Sequence, residues 1–201
     1  MKHMISVAVS VLVMTVLMSY LPVSGESEIY GNTVRLHVIA ASDGEKDQAL
    51  KLKVRDSILK YMSEMPQNGS KETVEASLEA SLEEIEAVAE GTLSENGCNK
   101  KVTAVLGKEK YPVREYDNFI LPAGTYTSLR VVIGEGEGKN WWCVLYPPLC
   151  NAVGERECEE NFISAGFTSE QYKMIKKDSG GKYKVRFKVL EILSEAFGFD
   201  Y

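Results

Sequence analysis

The chain has 201 residues, with 23 Lys and Arg against 29 Asp and Glu and a formal net charge of −6. That length suits one domain, large enough to bury a core without covalent staples. The acidic balance argues against nucleic acid as a partner, because phosphate binding depends on cationic surface, and no Lys/Arg block points to anionic lipid.

Residues 1–25 read as an export signal. Lys2 and His3 make a positive start, Met4 to Val23 form an apolar run without charge, and Val23-Ser24-Gly25 places small residues where a signal peptidase cuts. The run also approaches the ~20 apolar residues that span a hydrocarbon core, so an uncleaved membrane segment is the alternative. Pro22 and the small residues after it favour cleavage. Either way residues 26–201, taken as a single extracytoplasmic domain, end on the far side of the membrane. Losing Lys2 leaves 22 basic against 29 acidic residues, or about −7.

The first strand is Val34 to Ala40, with Val34, Leu36, Val38 and Ala40 on one face and Arg35, His37 and Ile39 on the other. Ser42-Asp43-Gly44-Glu45 ends it with capping-box spacing. A helix follows, carrying Leu50, Val54, Ile58, Met62 and Met65 at helical spacing until Pro66 and Asn68-Gly69. The pattern predicts a second helix over Ser70 to Glu90, with an apolar stripe through Val74, Leu78, Leu82, Ile85 and Ala89 and a stop at Gly91. Its other face carries seven glutamates between Glu72 and Glu90, the composition of a solvated surface.

Lys101 to Leu106 and Tyr111 to Tyr116 read as two strands of a hairpin turning at Gly107. Tyr126 to Ile133 fits two patterns: Tyr126, Leu129, Arg130 and Ile133 have helical spacing, while Val131-Val132-Ile133 is β-branched. We read it as a helix. Gly134, Gly136 and Gly138 form a mobile acidic link, unlike a phosphate loop, since Glu135 and Glu137 repel phosphate and no Lys-Ser/Thr follows.

Asn140 to Cys150 is the densest stretch, holding both tryptophans, Trp141 and Trp142, and the corner Tyr146-Pro147-Pro148. On a strand the two rings point to opposite faces, so both cannot enter one core. An exposed aromatic beside a stiff corner offers contact area at little entropic cost, which suits recognition; packing is the alternative. In the tail, Thr168-Ser169-Glu170-Gln171 has capping-box spacing before a short helix through about Lys177. Tyr183 to Val189 alternates as a strand with Lys184, Arg186 and Lys188 outward, and Leu190 to Phe197 closes the chain as a helix. The fold class is therefore α/β (α+β): one compact domain, a small mixed sheet packed by two or more helices.

Four cysteines, Cys98, Cys143, Cys150 and Cys158, allow three disulfide pairings, of which Cys143 with Cys150 is the first to test. Buried thiols packing as small hydrophobes are the alternative. No C-x-x-C occurs and His37 is the sole histidine after export, so neither zinc nor another metal is expected, and no motif calls for a cofactor.

Two segments carry a family resemblance. Arg35 to Asp43 continued by Asp47 to Asp56, then Gly124-Thr125-Tyr126, Leu129 to Gly134 and Gly138 through Cys150, with Val185 to Lys188 at the end, resemble the signatures of the stage II sporulation protein R family. The resemblance implies a protein made in the forespore and exported between two membranes. There it activates a membrane-embedded aspartic protease, which cleaves the precursor of sigma factor E. An activator works by binding the active form of its target more tightly, by about 5 kcal/mol for a shift from mostly off to mostly on. Contacts of that size come from a few aromatic or Arg anchors. The expected anchors are Trp141, Trp142, Tyr146, Pro147 and Pro148, with Arg35 and His37 second; no catalytic residues are expected. The competing reading is a cell-wall or peptide hydrolase with Cys143 as nucleophile and His37 as base.

Overall fold

The computed structural model describes residues 26–65, 70–149 and 155–177, together with helical residues 6, 7, 9–11, 13 and 14. Most of the 1–25 segment, the Pro66 and Asn68-Gly69 stop, Cys150, and the strand and helix expected beyond Lys177 lie outside the described residues. Among the described residues no helix is long and apolar enough to cross a membrane.

From Glu26 the order is α1 (Glu26–Gly31), β1 (Val34–Ile39), α2 (Glu45–Glu64), α3 (Lys71–Ala80), α4 (Leu82–Glu95), β2 (Val102–Tyr111), β3 (Arg114–Glu115) and β4 (Ile120–Leu121). Then come β5 (Gly124–Ile133), β6 (Asn140–Tyr146), α5 (Glu155–Ser164) and α6 (Ser169–Ile175). Four strands make one mixed sheet in the order β2-β5-β1-β6, and β3 pairs with β4 apart from it. β1 runs parallel to β5 and antiparallel to β6. This is the small mixed sheet packed by helices that the alternating patterns predict.

One sheet face is buried under α2, α3 and α4. Val34, Leu36 and Val38 of β1 and Leu129, Val131 and Ile133 of β5 pack there against Leu50, Val54, Ile58, Leu78, Ile85 and Leu93. The other face is covered only in part. Ile29 of α1, Phe119 and Leu121 beside and in β4, Val144 of β6, and Phe162 and Tyr172 of α5 and α6 form a second core there. Toward the end where β1 and β5 finish, that face stays open: Val105 and Arg130 are exposed and Ile39, Val132 and Trp142 half-buried.

Several local expectations are corrected. Tyr126 to Ile133 is strand β5, not a helix. Its stretch from Tyr126 to Leu129 is buried on both faces, so the strand does not alternate from its start and chance helical spacing misleads. Lys101 to Tyr116 is no hairpin at Gly107; β2 runs straight through it, pairing Gly107 with Ser128. The helix expected over Ser70 to Glu90 breaks at Ser81 into α3 and α4. Gly91 does not stop it. The stop is Gly97, at φ 69°, where Gly97 N–H donates to Ser94 O at 3.0 Å and Cys98 N–H to Leu93 O at 2.9 Å. That is a Schellman closure, and it seats Cys98 against the first core.

The capping box at Ser42 does not form either. Gly44 is the N-cap of α2 without a side-chain cap bond, and Ser42 Oγ instead donates to Asp47 Oδ2 at 2.6 Å. The box at Thr168 does form.

The link from β5 to β6 must climb over the end of β1, since β1 lies between them. Expected as mobile, it is tied down. Gly138 N–H donates to Ala40 O at 2.9 Å, Lys139 N–H to Asp43 Oδ1 at 2.8 Å, and the buried Lys51 Nζ to Lys139 O at 2.9 Å. A Cβ on Gly138 would lie 2.3 Å from Ser42 O, so only glycine passes.

Candidate functional site: a cation and aromatic tier on the open sheet face

Alternation sends Arg35 and His37 of β1 to the partly open face. Register then sets their neighbours: His37 lies opposite Trp142, and Arg35 opposite Val144. Arg35 is 0% exposed. Its guanidinium carbon stands 4.3 Å from the ring centre of Tyr111 and 4.9 Å from that of Tyr126. Tyr116 is a third aromatic neighbour, at 5.7 Å. Arg35 Nε donates to Cys143 O at 3.1 Å, and Nη2 donates to the Tyr116 hydroxyl.

Among the described residues no carboxylate pairs with this charge; ring faces and oxygen dipoles hold it. Burial raises the Tyr116 hydroxyl pKa even though the cation opposes it. Burial likewise pushes that of Tyr111 well up, against a hydrogen bond with Ser128. Both phenols stay neutral, as partners of a cation must if they are to present a hydroxyl and a π face.

His37 is 6% exposed. Its Nδ1 lies 2.8 Å from Glu109 Oε1 and its Nε2 2.9 Å from Asn140 Oδ1, which fixes the ring plane. That ring stacks on Trp142 at 5.4 Å between centres, and the Arg114 guanidinium carbon stands 3.4 Å from the Trp142 ring centre. Arg114, Trp142 and His37 thus form one tier above Arg35. Beside it runs a cleft of about 420 Å³ between the β3–β4 hairpin and the start of β6, lined by Arg114, Tyr116, Asn118, Phe119, Asn140 and Trp142 among others.

The two tryptophans separate as strand geometry requires. Trp141 is 37% exposed on the helix side, where the Arg55 guanidinium carbon lies 4.3 Å from its ring centre. Trp142 belongs to the tier. Of the other expected anchors, Tyr146 is 4% exposed and its hydroxyl donates to Ala165 O at 3.2 Å. Pro147 is buried and Pro148 half-buried. Arg35 thus has no exposed surface and Tyr146 and Pro147 almost none, so all three pack inside the fold and support the residues that reach its surface. Cys143 lies opposite Leu36, on the helix side, while His37 projects from the other face. They cannot form a nucleophile and base pair.

Arg114, Tyr111, Tyr116, Glu109 and Asn140 are site residues that pattern reasoning missed. Arg114 and Tyr116 sit in what reads as an ordinary strand, and only the fold of the β3–β4 hairpin brings them over Trp142.

The profile of the stage II sporulation protein R family matches residues 30–155, well over half of the chain. A relative described as stage II sporulation protein R, from Bacillus subtilis (strain 168), is 32% identical over 181 residues, covering 82% of this chain and 81% of its own length.

The chain belongs to the stage II sporulation protein R family. Membership implies a role in sporulation. No solved structure matches the chain. The family match spans β1, the crossover at Gly138 and β6, the elements that build the tier. In this member of the stage II sporulation protein R family the tier offers π faces and N–H donors, the chemistry of recognition.

Proposed function

We propose that this chain is an exported forespore signalling protein. It acts in the space between the forespore and mother-cell membranes, where it activates the membrane-embedded aspartic protease that processes the sigma factor E precursor. Family membership over four-fifths of the chain is the observation that carries this reading. The export pattern of residues 1–25 supports the location, cleaved or retained as an anchor.

The activator binds the protease through the open sheet face, with Trp142 at its centre and His37 and Arg35 holding it in place. A preformed aromatic surface loses little entropy on binding, so its contacts can favour the active form of the receptor. Trp141 and Pro148 are secondary contacts around the same strand, and the buried Pro147 shapes the corner. The function is non-enzymatic: opposite-facing Cys143 and His37 leave the hydrolase reading without its dyad.

We assign Cys143 to a disulfide with Cys150. Cys143 is disulfide-bonded, Cys98 is a free thiol, and Cys158 is buried and accepts from Asn118 Nδ2 at 3.8 Å.

The test is reconstitution of the chain with protease and precursor in one membrane system. Trp142→Ala should cut precursor cleavage about tenfold or more while the fold is kept, the loss typical of a central aromatic anchor. Full cleavage with a folded Trp142→Ala protein would sink the proposal.

A further inference from the structure

We propose that the cleft beside Trp142 is a carboxylate-recognition site, which takes an acidic residue or the C-terminus of an extended peptide segment on the partner. The inference rests on the reading that this chain acts by binding a protein, and it names what the partner presents. One guanidinium group, that of Arg114, stands at the cleft wall. Arg35 lies behind it without accessible surface and only orients the wall, hydrogen-bonded to the carbonyl of Cys143 and the hydroxyl of Tyr116, both lining residues. Among the described residues Arg114 Nε is a buried N–H group without a hydrogen-bond partner.

A buried unsatisfied donor on a cation is costly, and a carboxylate is the acceptor that best relieves it. Three carboxylates stand near. Glu115 and Asp117 line the cleft, but Glu115 is engaged by Lys177 at 2.5 Å and Asp117 is turned to solvent; Glu109 is not a lining residue and holds His37 through Oε1 at 2.8 Å, its Oε2 being buried without a partner among the described residues. Arg114 is held flat on Trp142 at 3.4 Å, so its fork is oriented before a ligand arrives and less freedom is lost on pairing. Phe119, Leu149 and the Trp142 edge supply apolar walls. Those walls would be idle against a free phosphate but would cover the stem and neighbours of an acidic residue. A volume near 420 Å³ accommodates two or three side chains.

The two tryptophans provide the readout: both residues border the cleft, but the Trp141 ring stacks on Arg55 on the other face of the sheet and is the reference for Trp142. The full chain in detergent is titrated with acetyl-Gly-Glu-Leu-amide, with its Gln counterpart, with acetyl-Gly-Gln-Leu bearing a free C-terminus, and with inorganic phosphate, while both indole N–H resonances are followed. At least one carboxylate peptide should move the Trp142 indole further than that of Trp141 and bind about tenfold more tightly than the neutral peptide. Which of the two does so tells side chain from terminus. Arg114→Gln should flatten the response, and Arg114→Lys, which keeps charge but loses the planar stack, should weaken it.

Equal binding of charged and neutral peptides overturns the inference. So does phosphate binding as tight as the peptides, or a response that survives Arg114→Gln. The reconstituted cleavage assay separates the two proposals. If Trp142→Ala blocks activation but no carboxylate peptide binds, the inference alone falls. If the peptides bind as described and a folded Trp142→Ala protein still activates fully, the functional reading fails instead.

Discussion

Replacing Gly138 by alanine tests whether the crossover over β1 is as tight as its geometry requires. The added Cβ would stand 2.3 Å from Ser42 O, 2.6 Å from the same carbonyl carbon and 2.9 Å from Ala40 Cβ. Comfortable carbon contacts begin near 3.5 Å, so relief needs a movement of about 1 Å. The obstruction is backbone and cannot rotate away. Moving the link strains three bonds at once: Gly138 N–H to Ala40 O, Lys139 N–H to Asp43, and Lys51 to Lys139 O. Overpacking costs about 1–3 kcal/mol, and a weakened hydrogen bond adds roughly 1 kcal/mol. The expected loss is about 3 kcal/mol.

Urea unfolding followed by tryptophan fluorescence reads it directly. With a slope near 2 kcal/mol/M the midpoint falls by about 1.5 M. Gly107→Ala is the control, because a Cβ there meets nothing within 4 Å. It should be neutral or slightly stabilising. Because β6 starts two residues beyond Gly138, the substitution should also disturb Trp142. A Gly138→Ala protein as stable as its parent would refute the account of the crossover.

Three further outcomes are expected. Glu86 Oε1 accepts from the backbone N–H of Ala104 at 2.8 Å, closing part of the β2 edge. Glu86→Ala should therefore cost about 1–2 kcal/mol and promote edge-to-edge association, whereas Glu86→Gln, which keeps the acceptor, should not; sedimentation of the two variants decides it. Asp47 is held below the usual carboxylate range first by its bond to Lys100, then by Ser42. Its folded value lies below the unfolded one, so its stabilisation is present above about pH 4 and is lost as pH falls through the folded value. Lys100→Met should shrink the stability lost on acidification, and an unchanged pH profile would contradict this. Arg35→Lys keeps the charge but cannot serve Cys143 O and Tyr116 together from one planar fork. It should lower stability by about 2–4 kcal/mol in thermal unfolding, and a silent substitution would show that the tyrosine cage does not depend on guanidinium geometry.

Much of this protein is legible in order along the chain. Strand β1 alternates, α2 carries its apolar stripe, and Thr168 caps α6, because each depends on neighbours a few residues away. The adjacent tryptophans diverge for the same local reason. The family signatures are legible too, and they lie on the elements that later meet at the crossover and the tier.

What the order along the chain could not supply was set by neighbours distant in sequence. Tyr126 to Ile133 became a strand because β1 and β2 flank it, and burial of both faces from Tyr126 to Leu129 blurred the alternation by which strands are read. Arg35 became a buried cation only because Tyr111, Tyr116 and Tyr126 arrive around it from other elements. Glu86 and Glu90 look like solvated helix residues, yet they accept from the edge of β2. The sequence by itself determined α2, the capped α6, the first strand and the family, through local propensity, periodicity and signature. The tertiary structure alone decided which face stays open, which tryptophan joins the tier, and that His37 and Cys143 part company, since pairing register and layer coverage are properties of residues far apart in the chain.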